Sequence, residues 1–200
     1  MVDRVQVVLA TQNRGKRSEW AAMLKGLALN VVLPEEVGVT AEIEETGETY
    51  LENALLKART LAIASGLPAL ADDSGLEVDA LDGAPGVHSA RFQPGSDEAR
   101  YATLLAAMTG VEGAARSARF RCVAALVLPD GRAFTSEGVC EGVIAQAPSG
   151  ARGFGYDPVF FIPEQGVTMA ELSAEQKNTI SHRARAAQVM RAVLREVLKV

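Results

Sequence analysis

The segment Thr11–Lys16 carries residue types suited to phosphate binding, and it directly follows the apolar run Val5–Ala10. Apolar residues recur at helical spacing from Trp20 to Leu27, so the segment is predicted to join a strand to a helix. Backbone N–H groups at a helix N-terminus bind anions, and Lys16 adds a positive charge. The segment does not match the Walker A pattern. A phosphate-binding loop and an ordinary polar turn both fit it.

Two pairs of acids offer the hard oxygen atoms that Mg²⁺ prefers. Glu44 and Glu45 lie in an acidic loop, where a solvated loop is the simpler interpretation. Asp72 and Asp73 follow the short predicted strand Ala69–Ala71. Because α/β proteins place their sites at the carboxyl ends of strands, this second pair is the stronger candidate for catalysis or metal binding.

Further polar residues are candidates for binding a substrate. Asn53 and Lys57 are four residues apart on a predicted helix, away from its apolar stripe, and face either a site or water. The glycine-rich segment 153–158 combines two aromatic residues with an acid, a composition that suits stacking on a nucleobase but also an ordinary turn. Lys177, His182 and Arg183 lie before or at the start of the last predicted helix, where basic side chains oppose the helix dipole.

The elements that position these residues indicate an α/β protein. The chain opens with a strand, a helix and a second strand over Leu29–Leu33. Thr49 and Glu52 form a predicted capping box at the start of the next helix. Ala118–Leu128 and Ala133–Val139 are predicted to form a hairpin. A final helix is predicted to bury one face, which carries Ala186, Val189, Met190, Val193, Val197 and Leu198.

Composition excludes several classes of protein. The chain has 200 residues, of which 48% are hydrophobic, which is typical of one folded domain and not of a disordered chain. A net charge of −5 argues against binding to duplex nucleic acid. The sequence offers no apolar segment long enough to span a membrane, and its N-terminus does not resemble a secretion signal. We therefore expect a cytoplasmic protein with neither nucleic acid nor membrane as a partner.

The order of these motifs carries more information than any one of them. Read along the chain they are Thr-x-Asn-x-x-Lys, Glu-Glu-Thr-Gly with Glu-Asn-Ala-x-x-Lys-Ala, Ala-Asp-Asp-Ser-Gly-Leu-x-Val-Asp, Pro-Gly-Val-x-Ser-Ala-Arg, Gly-Phe-Gly-Tyr-Asp-Pro and Lys-Asn-x-x-Ser-His-Arg. From Val8 to about Ala187, this series resembles the inosine triphosphate pyrophosphatase family, the RdgB-type enzymes. Gln12, Asp82 and His88 depart from residues common in that family.

The resemblance implies a fold and an activity. The expected fold is α/β, with a long curved mixed β-sheet flanked by helices, and residues 1–200 forming a single domain with two lobes and a central cleft. The expected protein is a homodimer and a Mg²⁺-dependent enzyme. It would hydrolyse deaminated purine nucleoside triphosphates (ITP, dITP and XTP) to the monophosphate and pyrophosphate, and so cleanse the nucleotide pool.

The resemblance also implies roles for individual residues. Glu44 and Asp73 would hold Mg²⁺, with Glu45 as the alternative to Glu44, and Asp73 would activate the water that attacks the α-phosphorus. His182 and Arg183 would donate hydrogen bonds to the 6-oxo group of the base. The residues predicted to bind substrate are Thr11, Gln12, Asn13, Arg14, Gly15, Lys16, Lys57, Ser74, Phe154, Gly155, Tyr156, Asp157, Lys177, His182 and Arg183.

Two other functions fit the same residues. A nucleotide sensor without turnover would bind through the same motifs, although the acids Glu44 and Asp73 argue for catalysis. A Maf-like pyrophosphatase acting on modified pyrimidines is the second alternative, and the Ser-His-Arg motif favours a purine substrate over it.

Overall fold

The computed structural model describes residues 4–40 and 43–200 and confirms the predicted α/β class with a mixed sheet. The strands are β1 Val5–Ala10, β2 Leu29–Val32, β3 Ala69–Val78, β4 Ser117–Val127, β5 Ala133–Ile144, β6 Phe160–Ile162 and β7 Val167–Thr168. The α-helices are α1 Arg14–Met23, α2 Tyr50–Ser65, α3 Asp97–Ala107, α4 Ala174–Ile180 and α5 His182–Leu198. Within the described ranges, none of the helices has the length and apolar character needed to cross a membrane.

The sheet is parallel at one end and antiparallel at the other. Its strand order is β2-β1-β3-β4-β5-β6-β7. Strand β1 runs parallel to β2, with Val5 opposite Leu29, and parallel to β3, with Val8 opposite Ala69. Strand β6 pairs antiparallel with both β5 and β7. Since parallel strands need crossover connections, α1 lies between β1 and β2 in the chain, and α2 lies between β2 and β3.

The chain divides into two compact units. The first contains the chain up to Asp73, Cys122–Gly138 and Arg183–Val200, and the second contains Ser74–Arg121 and Val139–His182. Each unit has its own apolar core. The first core includes Leu9, Trp20, Leu70, Leu126, Met190 and Leu194, and the second includes Leu76, Leu104, Met108, Phe120, Phe160 and Met169.

The start of α2 confirms the predicted capping box. Thr49 Oγ1 accepts a hydrogen bond from the Glu52 backbone N–H at 3.1 Å, and Glu52 Oε2 accepts from the Thr49 N–H at 3.0 Å. These bonds satisfy N–H groups that the first helical turn leaves without partners. They also orient the helix that carries Asn53 and Lys57.

The predicted end of β3 was wrong. The sequence Asp72-Asp73-Ser74-Gly75 has turn-forming composition, but β3 continues through it to Val78. Asp72 and Asp73 therefore lie inside a strand and are 1% and 5% exposed. Their side chains are hydrogen bonded and ion paired to groups that are distant in sequence, and this allows acids to occupy a buried strand.

One residue assigned to the buried face of the last helix was also placed wrongly. Val189 is 51% exposed. The buried stripe of α5 instead passes through Arg183, Ala186, Met190 and Leu194, which repeat at intervals of three or four residues. Arg183 is part of that buried stripe. The spacing of apolar residues could not predict this, because Arg183 is charged.

Candidate active site

Asp72 is the centre of a buried charged cluster in the first unit, formed by Lys16, Glu19, Trp20, Asp72 and Arg183, which we call the Asp72 cluster. Asp72 Oδ1 accepts a hydrogen bond from Trp20 Nε1 at 2.9 Å. Asp72 Oδ2 accepts from Arg183 Nε at 3.2 Å and Nη2 at 3.1 Å, and lies 3.1 Å from Lys16 Nζ. Arg183 Nη1 also donates to Glu19 Oε2 at 2.5 Å.

The partners of Asp72 keep it ionised. Burial alone would raise the pKa of its carboxyl group, but the positive charges of Lys16, Arg183 and Lys57 and the Trp20 hydrogen bond hold that pKa far below its usual value. The pKa of Arg183 is in turn raised, because its interactions with Asp72 and Glu19 outweigh the effect of its own burial. Asp72 therefore acts as a permanent anion and not as a proton acceptor.

Asp73 has a different environment from its neighbour. Its Oδ2 accepts a hydrogen bond from Asn53 Nδ2 at 3.1 Å, and its Oδ1 lies 3.9 Å from Lys57 Nζ. Burial raises the pKa of Asp73, and the negative charge of Glu45 adds to that rise, against the opposite effects of Lys57, Lys16 and Asn53. The carboxylate of Asp73 is therefore more basic than that of an ordinary aspartate.

Lys57 connects the acidic loop to strand β3. Its Nζ forms a short ion pair with Glu45 Oε1 and donates to the Asp72 carbonyl oxygen at 2.8 Å. The alternative that Lys57 and Asn53 face water is therefore wrong, since both are buried. Glu44, by contrast, is exposed.

Asn53 holds the acidic loop close to α2. Its Oδ1 accepts from the Gly47 N–H at 2.8 Å, while its Nδ2 reaches Asp73. A Cβ atom at Gly47 would lie 2.7 Å from Asn53 Oδ1. Glycine at this position therefore permits the close approach that joins the loop to Asp73.

The first predicted loop leads directly into α1. Asn13 caps the helix, with its Oδ1 accepting from the Lys16 N–H at 3.0 Å, and Thr11 Oγ1 accepts from the Asn13 N–H at 3.2 Å. Gln12, Asn13 and Arg14 are exposed, whereas the Lys16 side chain is 14% exposed. The segment thus presents a helix N-terminus and a lysine held by Asp72, an arrangement that attracts anions.

A second group of predicted residues lies in the second unit, where Phe154, Asp157 and Lys177 form what we call the Phe154 cluster. Lys177 Nζ forms a short ion pair with Asp157 Oδ2 and lies 4.7 Å from the centroid of the Phe154 ring. Asp157 Oδ2 also accepts from the Phe154 N–H at 2.9 Å. Gly153 has φ +76°, and a Cβ there would overlap the Asp157 carboxylate.

Three other predicted residues of the second unit are His182, Tyr156 and Ser74. The His182 ring stacks on Phe120, with centroids 4.8 Å apart and an interplanar angle of 19°. Tyr156 donates from its hydroxyl to the Ser89 carbonyl oxygen at 2.9 Å, and burial raises its pKa to about 12. Ser74, the first residue of this unit in β3, is half-buried.

The structure places Arg183 in the Asp72 cluster and adds residues to the site. Arg183 is 1% exposed, and its guanidinium contacts Asp72 and Glu19. Its role as a donor to the base stays a prediction. Glu19 and Trp20 were not predicted to be functional. They lie one helical turn after Lys16, and this spacing is the feature of the sequence that could have placed them beside Lys16 in the site.

The fold and these side chains define a class of protein. An α/β sheet that carries buried acids and lysines near a helix N-terminus is suited to binding a phosphorylated ligand. The model of the Ham1 family matches residues 7–193, and the chain belongs to that family.

The chain is similar to known proteins over almost its whole length. A dITP/XTP pyrophosphatase of Geobacter sulfurreducens is 50% identical over 93% of this chain and 94% of its own length. Another dITP/XTP pyrophosphatase, from Desulforamulus reducens, is 52% identical over 91% and 92%. The solved structure of a HAM1 protein from Coxiella burnetii has a TM-score of 0.88 and 43% identity, and the match covers 96% of this chain and 99% of that one.

The Asp72 cluster predicts a loss of stability in Asp72→Asn. The variant keeps the shape of the side chain but removes the negative charge, so the buried Arg183 and the partly buried Lys16 lose their shared counterion. Breaking a buried ion pair in this way costs about 3–5 kcal/mol. We expect denaturant unfolding to show a decrease in the free energy of unfolding of that size.

The adjacent acid provides a matched control. Because burial raises the pKa of Asp73, the charged form of this group is disfavoured in the folded protein at neutral pH. Asp73→Asn should therefore leave the free energy of unfolding unchanged or higher. Equal destabilisation by the two substitutions would contradict the different environments assigned to these acids.

Proposed function

We propose that this chain hydrolyses dITP, XTP and ITP to the nucleoside monophosphate and pyrophosphate, and that it removes deaminated purine nucleotides from the nucleotide pool. Relatives named dITP/XTP pyrophosphatase, about half of whose residues are identical to this chain, support the proposal. A Mycobacterium abscessus structure described as a nucleoside-triphosphatase and dITP/XTP pyrophosphatase has 40% identity and a TM-score of 0.76.

The observation that carries the mechanism is the contrast between Asp72 and Asp73. Asp72 cannot accept a proton near neutral pH, because its pKa is held far below the usual value. Asp73 has a raised pKa, which makes it the better general base. In our proposal Asp73 takes a proton from water as that water attacks the α-phosphorus, and the bond to the bridging oxygen breaks to release pyrophosphate.

The first unit supplies the groups that suit the triphosphate. Lys16 and Lys57 provide positive charge, and the N-terminus of α1 provides backbone N–H donors. We assign Thr11, Gln12, Asn13, Arg14, Gly15, Lys16 and Lys57 to phosphate or ribose binding, together with Ser74 of the second unit. Asp72 would position Lys16 without contacting substrate.

Mg²⁺ is the cofactor that the acids suit best. Within residues 4–40 and 43–200, no three His, Cys, Asp or Glu side chains come together as a metal site. Mg²⁺ commonly binds to one or two carboxylates and completes its shell with substrate phosphates and water. Asp73 and Glu44 would hold it, since Glu45 is already paired with Lys57, and the bound ion would neutralise charge on the phosphates.

The second unit supplies groups that suit a purine base. Phe154 offers an aromatic face, and Lys177, held beside it by Asp157, is a donor suited to an acceptor on the base. We assign Phe154, Gly155, Tyr156, Asp157, Lys177 and His182 to base binding. We also keep Arg183 as a donor to the 6-oxo group of the base.

The proposal also covers the oligomeric state, the cellular location and the domain organisation of the protein. We infer a homodimer in the cytoplasm, with residues 1–200 forming a single domain. The net charge of −5 argues against nucleic acid as a partner. Size-exclusion chromatography with light scattering would test the dimer.

A nucleotide panel tests the activity against both alternatives. Release of pyrophosphate from dITP, XTP, dATP, dGTP, dUTP and 5-methyl-UTP would be measured with Mg²⁺ under one set of conditions. We expect the highest kcat/KM values for dITP and XTP. Preference for 5-methyl-UTP would favour a Maf-like enzyme, and tight binding without release of pyrophosphate would favour a sensor.

Asp73→Asn should nearly abolish turnover of dITP. Loss of a general base alone typically lowers the rate about 10²–10⁴-fold, and loss of a metal ligand adds to that decrease. Steady-state kinetics would measure kcat, with circular dichroism as the check on folding. A folded variant with near-normal kcat would show that another group is the base.

The two acids of the loop should differ in their response to Mg²⁺. Glu44→Gln should raise the Mg²⁺ concentration for half-maximal rate about ten-fold, since a carboxylate ligand is lost. Glu45→Gln should change that concentration less, because Glu45 is paired with Lys57. The reverse ranking in a Mg²⁺ titration of dITP hydrolysis would assign the metal to Glu45.

A further inference from the structure

The loop that carries Phe154 is held by two carboxylates from different parts of the chain. Asp157, within the loop, accepts from the Phe154 N–H at 2.9 Å. Asp97 accepts from the next N–H, that of Gly155, through Oδ2 at 2.6 Å. Asp97 lies 58 residues earlier in the chain, in the first turn of α3. This second bond therefore ties the loop to a helix that contributes none of the residues assigned to substrate binding.

Asp97 is itself oriented by its neighbours. Its Oδ1 forms a short ion pair with Arg100, and Arg100 Nη1 donates to the Gly95 carbonyl oxygen at 2.9 Å. A negative charge in the first turn is also favoured by the helix dipole. With Arg100 on one oxygen, the other oxygen of Asp97 is directed at Gly155.

The Gly155 N–H is well placed to determine where the Phe154 ring lies. Gly155 has φ +64°, a left-handed conformation, and it directly follows Phe154. On its other side, Tyr156 is tied to Ser89 through its hydroxyl. Without the bond to Asp97, the peptide between Phe154 and Gly155 would lose its attachment to α3, and the ring beside Lys177 would lose one of the bonds that fix its position.

We propose that Asp97 is a positioning residue for base recognition, which holds Gly155 and thereby the face of Phe154 in the orientation that receives a purine base. The proposal rests on the function proposed above. It assigns Asp97 no contact with substrate and no part in the chemical step. A loss of Asp97 should therefore weaken binding of the base while leaving phosphate binding and kcat nearly unchanged.

The test compares ligands with and without a base. The dissociation constants of dIMP and of inorganic triphosphate would be measured by calorimetry for the wild-type protein, Asp97→Ala and Asp97→Asn. For Asp97→Ala we expect the Kd of dIMP to rise about ten-fold, because binding of the base must then fix the Phe154 loop, which Asp97 already fixes in the free wild-type protein. The Kd of inorganic triphosphate should not change. Asp97→Asn keeps an oxygen that accepts from Gly155 and should restore most of the dIMP affinity.

Ser96→Ala is the matched control for α3. Ser96 Oγ caps the helix by accepting from the Ala99 N–H at 3.2 Å, so its removal weakens the same helix end but leaves Asp97 in place. This variant should bind dIMP as the wild type does. In dITP hydrolysis, Asp97→Ala should raise KM about ten-fold with kcat changed by less than about three-fold, whereas Ser96→Ala should change neither.

Four outcomes would overturn the proposal. Wild-type affinity of Asp97→Ala for dIMP would show that the Gly155 bond is not needed, and equal weakening by Ser96→Ala would reduce Asp97 to a role in the helix end. If Asp97→Ala lost affinity for both dIMP and inorganic triphosphate, the substitution would have disrupted the whole binding site and not base recognition alone. If the wild-type protein did not bind dIMP, the Phe154 cluster would not be a base-binding site. Wild-type binding of dIMP without hydrolysis of dITP would instead contradict the proposed function alone.

Discussion

The charge on Asp72 is the constraint around which the first unit is organised. A carboxylate that is 1% exposed is compatible with a stable fold only when cations and hydrogen-bond donors surround it. Trp20 and Lys16 from α1 and Arg183 from α5 meet this requirement, so one side chain of β3 joins two helices to the sheet. The lysine proposed to bind phosphate is positioned by the same contact.

Consecutive acids in one strand consequently have opposite properties. Side chains alternate across a sheet, so Asp72 and Asp73 point to opposite faces and meet different partners. The Asp72 carboxylate contacts Lys16 and Arg183 and stays ionised. Asp73 is buried beside Asn53 and Lys57 and near Glu45, and its pKa rises. The first therefore maintains the structure, and the second is the proposed general base. In the second unit, Asp157 and Asp97 likewise hold backbone N–H groups of the Phe154 loop.

The sequence was sufficient to predict the α/β class, the strand β1 and the capping box at Thr49, because periodicity and local hydrogen bonds determine them. It did not predict that β3 continues through Asp72 and Asp73, since local composition favoured a turn and distant partners override it. The contacts of Arg183 with Asp72 and Glu19 join residues 111 and 164 positions apart. No local pattern reveals such pairs, and Asp97 was missed for the same reason.

Attack of water at the α-phosphorus is the step in which the proposed roles of Asp73, Lys16 and Lys57 meet. Hydrolysis of dITP in ¹⁸O-labelled water, with mass spectrometry of both products, reports directly on the bond that forms. We expect the label in dIMP and none in pyrophosphate, because the new oxygen bonds to the phosphorus that stays with the nucleoside. Label in pyrophosphate, or release of orthophosphate as the first product, would contradict the assignment of this chain as an α-phosphorus pyrophosphatase.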